Sequence, residues 1–503
     1  MSAVSSAPEP HNRYRIEPTV WQALRSPRLL TREVLAGLVV ALALIPEAIA
    51  FSLIAGVDPR VGLFSSFIMA VSIAFLGGRP AMITAATGAI ALVIAPVARE
   101  YGLEYFIATV ILAGVFQIIF ALFGVAKLMR FIPRSVMVGF VNALAIMIFT
   151  SQLPELLGVP FMVYPLVVAG LLIMWLMPKV TKVVPAPLVS IVLVTTAAVV
   201  WGLNVPTVGD KGELPQSLPS LFIPNVPLTW ETLEIIAPFA FAMAVVGLIE
   251  SLLTAKLVDE ITDTHSRKTR EALGQGGANI LSGFFGGMGG CAMIGQTMIN
   301  VKASGARTRI STFLAGVFLL MLVLLLGDLV AIIPMASLVS VMIVVAVATF
   351  DWHSVKISTI RTLPKSEMFV MLTTVVITVW THNLAIGVAA GVLVAMVMFA
   401  RRVAHFTNVA RDETHDTDGP FVRYTVVGEL FFASSNDLTT QFEYSKDPER
   451  VVIDLSQSHV WDASTVVALD AIENKYEERG KKVTFEGMND ATIAFHTRLT
   501  GEL

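Results

Sequence analysis

Charged residues are scarce in this chain of 503 residues. They make up 15% of it, whereas an ordinary soluble domain carries about 25%. Apolar residues account for 55%, so most of the chain is predicted to lie in an apolar solvent. The net charge of −3 offers no excess of positive charge for nucleic acid. We therefore expect no nucleic-acid partner.

Other features are missing altogether. The single cysteine, Cys291, excludes an intrachain disulfide. The sequence contains no set of nucleophile and base, no metal-ligand spacing such as H-E-x-x-H and no P-loop for ATP. We therefore expect neither an enzyme nor a metal site or cofactor, and any pumping must be secondary. Residues 1–31 are polar without a cleavable signal peptide, and they are predicted to form a cytoplasmic N-terminal arm.

Long apolar runs fill the chain from Leu30 to Ala400. A helix that crosses a bilayer needs roughly 20 apolar residues. On this basis fourteen segments are predicted in a transmembrane domain over 32–403, two of them short. In chain order they are 33–54, 57–76, 84–97, 102–124, 133–151, 161–178, 185–202, 232–258, 269–287, 292–300, 308–327, 329–350, 366–381 and 384–400.

The basic residues follow this segmentation. Lys and Arg accumulate on the cytoplasmic side of membrane proteins, and here the N-terminal arm and every second loop carry them. They are Arg13, Arg15, Arg25, Arg28, Arg32, Arg79, Lys127, Arg130, Arg134, Lys179, Lys182, Arg267, Lys268, Arg270, Lys302, Arg307, Arg309, Lys356, Arg361, Lys365, Arg401 and Arg402. The longest opposite loop, 203–231, holds Lys211 alone. An even number of spans in the cell membrane, with both termini cytoplasmic, is predicted.

Two matching segments interrupt the apolar pattern, at 77–89 and 289–297. Each has a pair of glycines, then Ala-Met-Ile, then small or hydroxylated residues. Each lies in the third segment of a group of seven, which indicates two inverted repeats, about 32–202 and 232–402. A helix that begins inside the membrane leaves its first N–H groups unpaired and partly positive, and such an end binds anions. The alternative is that these glycines only allow close helix packing.

Two carboxylates, Glu47 and Glu250, lie inside the first predicted span of each repeat. Charges at that depth are costly and usually functional. Such a carboxyl could take up a proton on one side and release it on the other, and protonation would remove repulsion of an anion. Pro46 removes a backbone hydrogen bond beside Glu47. The alternative is a structural acid that is hydrogen-bonded to a neighbouring helix.

The tail, residues 404–503, has the composition of a soluble domain. It opens with a predicted polar linker, Asp412 to Gly419. Strands are predicted at Phe421–Val427, Arg450–Leu455 and Lys481–Phe485, and an amphipathic helix at Ser464–Arg479. Strands that alternate with helices indicate a small α/β domain.

Four motifs together resemble the SulP-type anion permeases, which include sulfate permeases and bicarbonate transporters. They are Ile45–Phe51 with Ala55–Val57 and Gly62–Ser66, then Thr87–Ala89, then Glu250–Thr254, and finally Phe285–Asn300 with Gly305–Arg309. The resemblance implies a mainly α membrane fold of fourteen spans, built from two intertwined seven-span inverted repeats and divided into a core and a gate domain. It also implies a homodimer that moves the core against the gate by alternating access.

The resemblance also implies an anion site between the first, third, eighth and tenth spans. The implied substrate-binding residues are Glu47, Phe51, Thr87, Gly88, Ala89, Ile294, Gly295 and Gln296. The implied ion-coupling residues are Glu47, Glu250 and Thr254.

Three residues depart from the family pattern. This chain has Glu47, Gln296 and Ala89. At these three positions many relatives carry, respectively, a neutral residue such as Gln, an Arg and a Pro. The loss of a cation and the gain of a carboxylate weaken an unassisted anion site. We therefore expect proton-coupled symport of a small anion of the carboxylate, bicarbonate or sulfate class. The alternatives are sodium coupling near Glu250, an exchanger or channel on the same fold, and a membrane-anchored sensor.

The tail resembles the STAS domain of anti-sigma factor antagonists. Gly428–Leu430, Val452–Leu455 and Trp461–Ser464 carry this similarity. In the antagonists a phosphorylated serine directly follows the aspartate, but Ala463 holds that position here. Regulation by that phosphorylation is therefore not expected, and both a regulatory and a passive role stay open.

Overall fold

The computed structural model describes residues 17–124, 132–180, 186–404, 408–416, 419–488 and 493. The predicted loop cations Lys127, Arg130 and Lys182 and the arm up to residue 16 lie outside these residues. The chain divides into two compact units, Met1–Val392 and Leu393–Leu503, and the division falls within one helix.

The part of the chain up to residue 404 is helical. Its described helices are α1 (Val20–Arg25), α2 (Pro27–Ala55), α3 (Pro59–Leu76), α4 (Gly88–Leu122), α5 (Arg134–Ser151), α6 (Val163–Val180), α7 (Ala186–Val200), α8 (Trp230–Thr262), α9 (Lys268–Phe284), α10 (Ile294–Met298), α11 (Arg309–Leu325), α12 (Gly327–Ala331), α13 (Met335–Thr349), α14 (Ile357–Thr362), α15 (Lys365–Thr381) and α16 (Leu384–Ala404). A 3₁₀ turn, Leu153–Leu156, follows α5, and a π-helical turn, Ile299–Ala303, continues α10. Two short strands, β1 (Thr84–Ala85) and β2 (Cys291–Ala292), complete this part.

Seven of the described helices are long and apolar enough to cross a bilayer by length and composition. They are α2, α3, α4, α5, α6, α8 and α16, while α7, α11 and α13 are apolar but shorter. Each of the fourteen predicted segments contains helical residues, although two of them, 84–97 and 102–124, fall in the single helix α4. The chain is therefore a membrane protein with many apolar helices, as its composition predicts.

Two breaks in the helices have local causes. Helix α4 contains Gly102 at φ 84° and ψ −178°, a conformation that side chains disfavour. This break lies where the sequence predicts a boundary between two segments. By contrast, the prediction of one continuous segment over 329–350 is wrong, because α12 ends at Ala331 and α13 begins only at Met335. Pro334 lies between them, and a proline disfavours helical geometry in the residue before it.

The helices up to residue 392 pack in two groups. In the first, α2, α3 and α11 pack on one another, and α4 packs on α8 and α9. In the second, α5 packs on α13 and α15, and α6 packs on α7 and α13. Small residues allow close approach, as where Gly114 and Gly276 bring α4 and α9 together.

The unit after residue 392 contains a four-stranded sheet in the order β3 (Asn408–Asp416), β4 (Gly419–Leu430), β5 (Arg450–Val460) and β6 (Lys482–Glu486). Strands β3 and β4 are antiparallel, and the other two pairs are parallel. The helices are α17 (Phe432–Leu438), which sequence reasoning missed, and α18 (Ala463–Glu477). The three predicted strands and the predicted helix agree with β4, β5, β6 and α18.

The predicted linker at 412–419 is wrong over residues 412–416. These residues are the second half of β3, where Asp412 pairs with Arg423 and Asp416 with Gly419. β3 is an edge strand, and charged side chains are common on edges because they discourage pairing with other chains. The polar composition of residues 412–416 alone therefore predicted the wrong secondary structure.

Asp447 accepts hydrogen bonds from three elements of the tail. Its buried carboxylate accepts hydrogen bonds from the hydroxyls of Tyr424 on β4, at 2.7 Å, and Tyr476 on α18, at 2.6 Å. Arg411 on β3 donates to it at 2.8 and 2.9 Å. Burial and the bond to Asp447 raise the pKa of Tyr476, so this phenol remains a neutral donor.

Replacing Asp447 with Ala is expected to destabilise the tail by about 3 kcal/mol, because two buried phenols and a guanidinium lose their partner. Hydrogen exchange of residues 419–486 in the full-length chain would measure this as faster exchange across the sheet. Glu413→Gln is the control, since Glu413 is an exposed second partner of Arg411. Equal exchange in Asp447→Ala and the control would contradict the role given to Asp447.

Candidate functional site

The two interrupted segments meet through their backbones. Strands β1 and β2 pair antiparallel, with Thr84 opposite Ala292 and Ala85 opposite Cys291. The Met293 amide donates to the Ile83 carbonyl at 2.9 Å. Backbone N–H and C=O groups away from water must form hydrogen bonds within the protein. The pairing of β1 with β2 provides these hydrogen bonds where neither segment is helical. Gly290 is required beside it, because a Cβ there would collide with the Ala85 carbonyl.

Helix α9 holds both segments in place. The Gly78 and Arg79 amides donate to the Glu271 carboxylate at 2.7 and 2.8 Å. Eight residues further along, Asn279 accepts from the Gly290 amide at 2.8 Å and donates to the Gly290 carbonyl at 3.1 Å. Sequence reasoning gave these two residues no role, although their spacing of eight places them on one helical face.

A helical segment begins on the far side of each strand. Helix α4 begins at Gly88, where the Thr87 hydroxyl accepts from the Ile90 amide at 3.4 Å. Helix α10 begins at Ile294 without a side-chain cap. The first amides of both segments have no carbonyl one turn earlier to bind, so each end carries a partial positive charge.

Both helix ends open on a cavity of about 330 Å³, here called the central cavity. Every substrate-binding residue predicted from the sequence lines it, together with Glu250. These residues are Glu47, Phe51, Thr87, Gly88, Ala89, Ile294, Gly295 and Gln296. Their role as anion ligands stays a prediction. Thr254 does not line the cavity. Its hydroxyl donates to the carbonyls of Glu250 and Ala292, at 2.8 and 3.4 Å.

The opposite wall of the central cavity comes from α5 and α13, in the second group of helices. Its side chains are apolar or hydroxylated: Phe140, Val141, Leu144, Ile148, Val345, Ala348 and Thr349. Sequence reasoning missed this wall, since these residues resemble those of any apolar helix. The central cavity thus lies between the two groups of helices.

Each buried acid has a partner in the second interrupted segment. Gln296 hydrogen-bonds the Glu47 side chain. The Cys291 thiol lies 3.0 Å from Glu250 Oε2 and 3.1 Å from Thr87 Oγ1, so it connects the acid of α8 to the start of α4. The sequence alone indicated nothing about Cys291 beyond the absence of a disulfide.

The charges of the central cavity are unusual for an anion site. Two carboxyl groups line it, and no Lys or Arg is among its described lining residues. Among the described lining residues, the two helix ends are the source of positive potential. A bound anion would be repelled by ionised Glu47 and Glu250, so the cavity suits an anion accompanied by a cation or by a proton on a carboxyl.

The chain is similar in sequence to known membrane transporters. Residues 30–165 and 160–374 match the sulfate permease family, and residues 412–500 match the STAS domain. The putative sulfate transporter YbaR of Bacillus subtilis (strain 168) is 50% identical over 463 residues, 92% of this chain and 95% of that protein.

Two solved structures share the fold. The transmembrane domain of a cyanobacterium bicarbonate transporter, BicA, matches with a TM-score of 0.65 and 26% identity, covering 72% of this chain and 97% of that one. The murine anion transporter Slc26a9 in its inward-facing state matches with a TM-score of 0.80 over 97% of this chain and 89% of that one. At 16% identity the second match speaks for the fold alone.

These matches place the chain in a family of membrane transporters of small anions, not of enzymes. The chain belongs to the sulfate permease family and carries a STAS domain. The resemblance read from the sequence motifs is confirmed.

Proposed function

We propose that this chain is a secondary transporter that carries one small anion, of the carboxylate, bicarbonate or sulfate class, together with a proton. The observation that supports it is the central cavity, where two helix ends and two carboxyl groups meet and the described lining includes no Lys or Arg. The anion binds the amides at Gly88–Ala89 and Ile294–Gln296. A proton on Glu47 removes the nearest negative charge when the anion binds.

We further propose for this chain the finer organisation expected from the sequence. Fourteen spans form inverted repeats over 32–202 and 232–402 within a transport domain of 32–403. The first packing group is the moving core, and the second is the gate. Both termini and the STAS domain, 404–503, are cytoplasmic, and the chain forms a homodimer in the cell membrane. Alternating access follows if the core moves against α5 and α13, because the central cavity lies between the groups.

Coupling by sodium is the second candidate. Thr254 Oγ1 lies 2.8 Å from the Glu250 carbonyl and 3.4 Å from the Ala292 carbonyl. Several oxygens therefore gather behind Glu250, and oxygen atoms are the ligands that hard cations prefer.

Uptake into proteoliposomes tests the proposal. Sulfate, bicarbonate, chloride and dicarboxylates are offered in turn under an imposed pH gradient or an imposed sodium gradient. We expect one class to accumulate above its equilibrium level when the outside is acidic, and sodium to add nothing. Accumulation driven by sodium at equal pH would select the second candidate. Current that only follows the anion gradient would identify a channel and contradict both.

A further inference from the structure

A second cavity continues the central cavity along the same helices. Its volume is about 510 Å³, and it is here called the end cavity. Helix α2 contributes Glu47 and Phe51 to the central cavity and Ile54 to the end cavity. Helix α4 contributes Gly88 to the first and Arg99 to the second.

The opposite wall is continuous in the same way. Helix α5 lines the central cavity with Leu144 and the end cavity with Thr150. Helix α13 lines them with Val345 and Leu338, respectively. Four helices therefore line both spaces, which indicates two consecutive parts of one route.

The end cavity differs from the central cavity in charge. Its described lining residues include two with a full charge, Arg99 and Glu155. Glu155 forms an ion pair with Lys211 at 2.8 Å, which neutralises it. Arg99 Nη2 donates to the Ile54 carbonyl at 3.2 Å, and no ion pair of Arg99 occurs within the described chain. Arg99 thus brings to this space a positive charge that has no ionic partner among the described residues.

Arg99 has a structural explanation that must be separated from a functional one. It lies in the last turn before the break at Gly102, and cations stabilise helix C-termini. Its bond to Ile54 also joins α4 to α2. These contacts need only part of the guanidinium, and the side chain remains exposed. A cation at the mouth of a low-dielectric cleft raises the local concentration of anions.

We propose that the end cavity is an anion-collecting vestibule, in which Arg99 attracts small inorganic or carboxylate anions before they enter the central cavity. The identity of the collected anion rests on the proposed function. The attraction itself does not, because it follows from Arg99 and the shape of the end cavity. Entry from this side is then favoured by charge, while the central site holds the anion by backbone amides.

A reporter thiol measures the attraction without transport. Thr150 is exposed in the end cavity, so Thr150→Cys is labelled with an anionic and with a cationic methanethiosulfonate of similar size. The protein is held in lipid nanodiscs, where both faces are accessible. The native Cys291 is buried, so the wild type serves as the unlabelled control. We expect Arg99→Gln to lower the ratio of anionic to cationic labelling rates by about fivefold.

Matched variants separate charge from structure. Arg99→Lys keeps the charge and should keep the ratio. Arg60→Gln removes a half-buried arginine that is paired with Glu213 at 2.6 Å and does not line the end cavity, so it should leave the ratio unchanged. An unchanged ratio in Arg99→Gln, or a Thr150→Cys that neither reagent labels, would overturn the vestibule.

Transport measurements separate this inference from the proposed function. In proteoliposomes, Arg99→Gln is expected to raise the KM for anion on this side by about fivefold, with little change in the maximal rate and a weaker dependence on ionic strength. If the labelling ratio falls as expected while the wild type takes up no anion, the proposed function fails and the anion-attracting cavity stands.

Discussion

Glu47→Gln is expected to abolish accumulation driven by a pH gradient while leaving downhill anion uptake in place. With one proton per monovalent anion, a difference of one pH unit supports about tenfold accumulation, and this ratio should fall to about one in the variant. Glutamine has the shape of the protonated acid, and it can keep a hydrogen bond to Gln296. The binding site therefore persists when the titrating group is gone.

The measurement is the steady-state ratio of internal to external anion in proteoliposomes at equal protein density. Glu234→Gln is the matched control, because Glu234 is exposed in the first turns of α8, away from the central cavity. Wild-type accumulation by Glu47→Gln would refute its coupling role. Loss of sodium-driven uptake in Glu250→Gln, with Glu47→Gln unaffected, would favour the sodium mechanism.

Gly290→Ala should be among the most damaging single-methyl changes in the chain. The added Cβ would collide with the Ala85 carbonyl, and Gly290 exchanges both of its backbone hydrogen bonds with Asn279. Relieving the collision requires β1 and β2 to separate, which moves both helix ends. We expect a loss of about 2 kcal/mol in stability and anion uptake below one tenth of the wild-type rate.

Thermal unfolding in detergent and uptake in proteoliposomes would be compared for the same preparations. Gly327→Ala is the control, since no atom lies within 4 Å of the Cβ position at Gly327. If Gly290→Ala retained both its melting temperature and its uptake, the pairing of the two interrupted segments would have no bearing on the site.

The sequence was most informative at positions where the residue type is unfavourable inside a membrane-spanning helix. Glu47 and Glu250 were identifiable because carboxyl groups are costly in an apolar span, and the two interrupted segments because their glycines and Ala-Met-Ile recur. These signals cover every predicted residue that lines the central cavity except Phe51, which only the family resemblance implied. Hydrophobic length likewise predicted the long apolar helices, although the break at 332–334 was missed.

Other parts of the site carry no such signal. The wall formed by α5 and α13 consists of ordinary apolar residues, and its position depends on packing between distant helices. Cys291 contacts Glu250 and Thr87 only because β1 and β2 are paired, which no local pattern reveals. In the tail, polar residues of β3 were predicted as a linker because their strand pairing is made by the backbone.

The pairing of β1 with β2 also has a consequence for anion selectivity under the proposed transport cycle. The two helix ends that line the central cavity are joined to each other and to α9, so under the proposed alternating access they would move together and keep their relative geometry when access changes sides. A competitive blocker small enough to reach that geometry should therefore inhibit from either face of the membrane with similar intrinsic affinity. Any preference for one direction would arise from the approach routes, not from the place of binding.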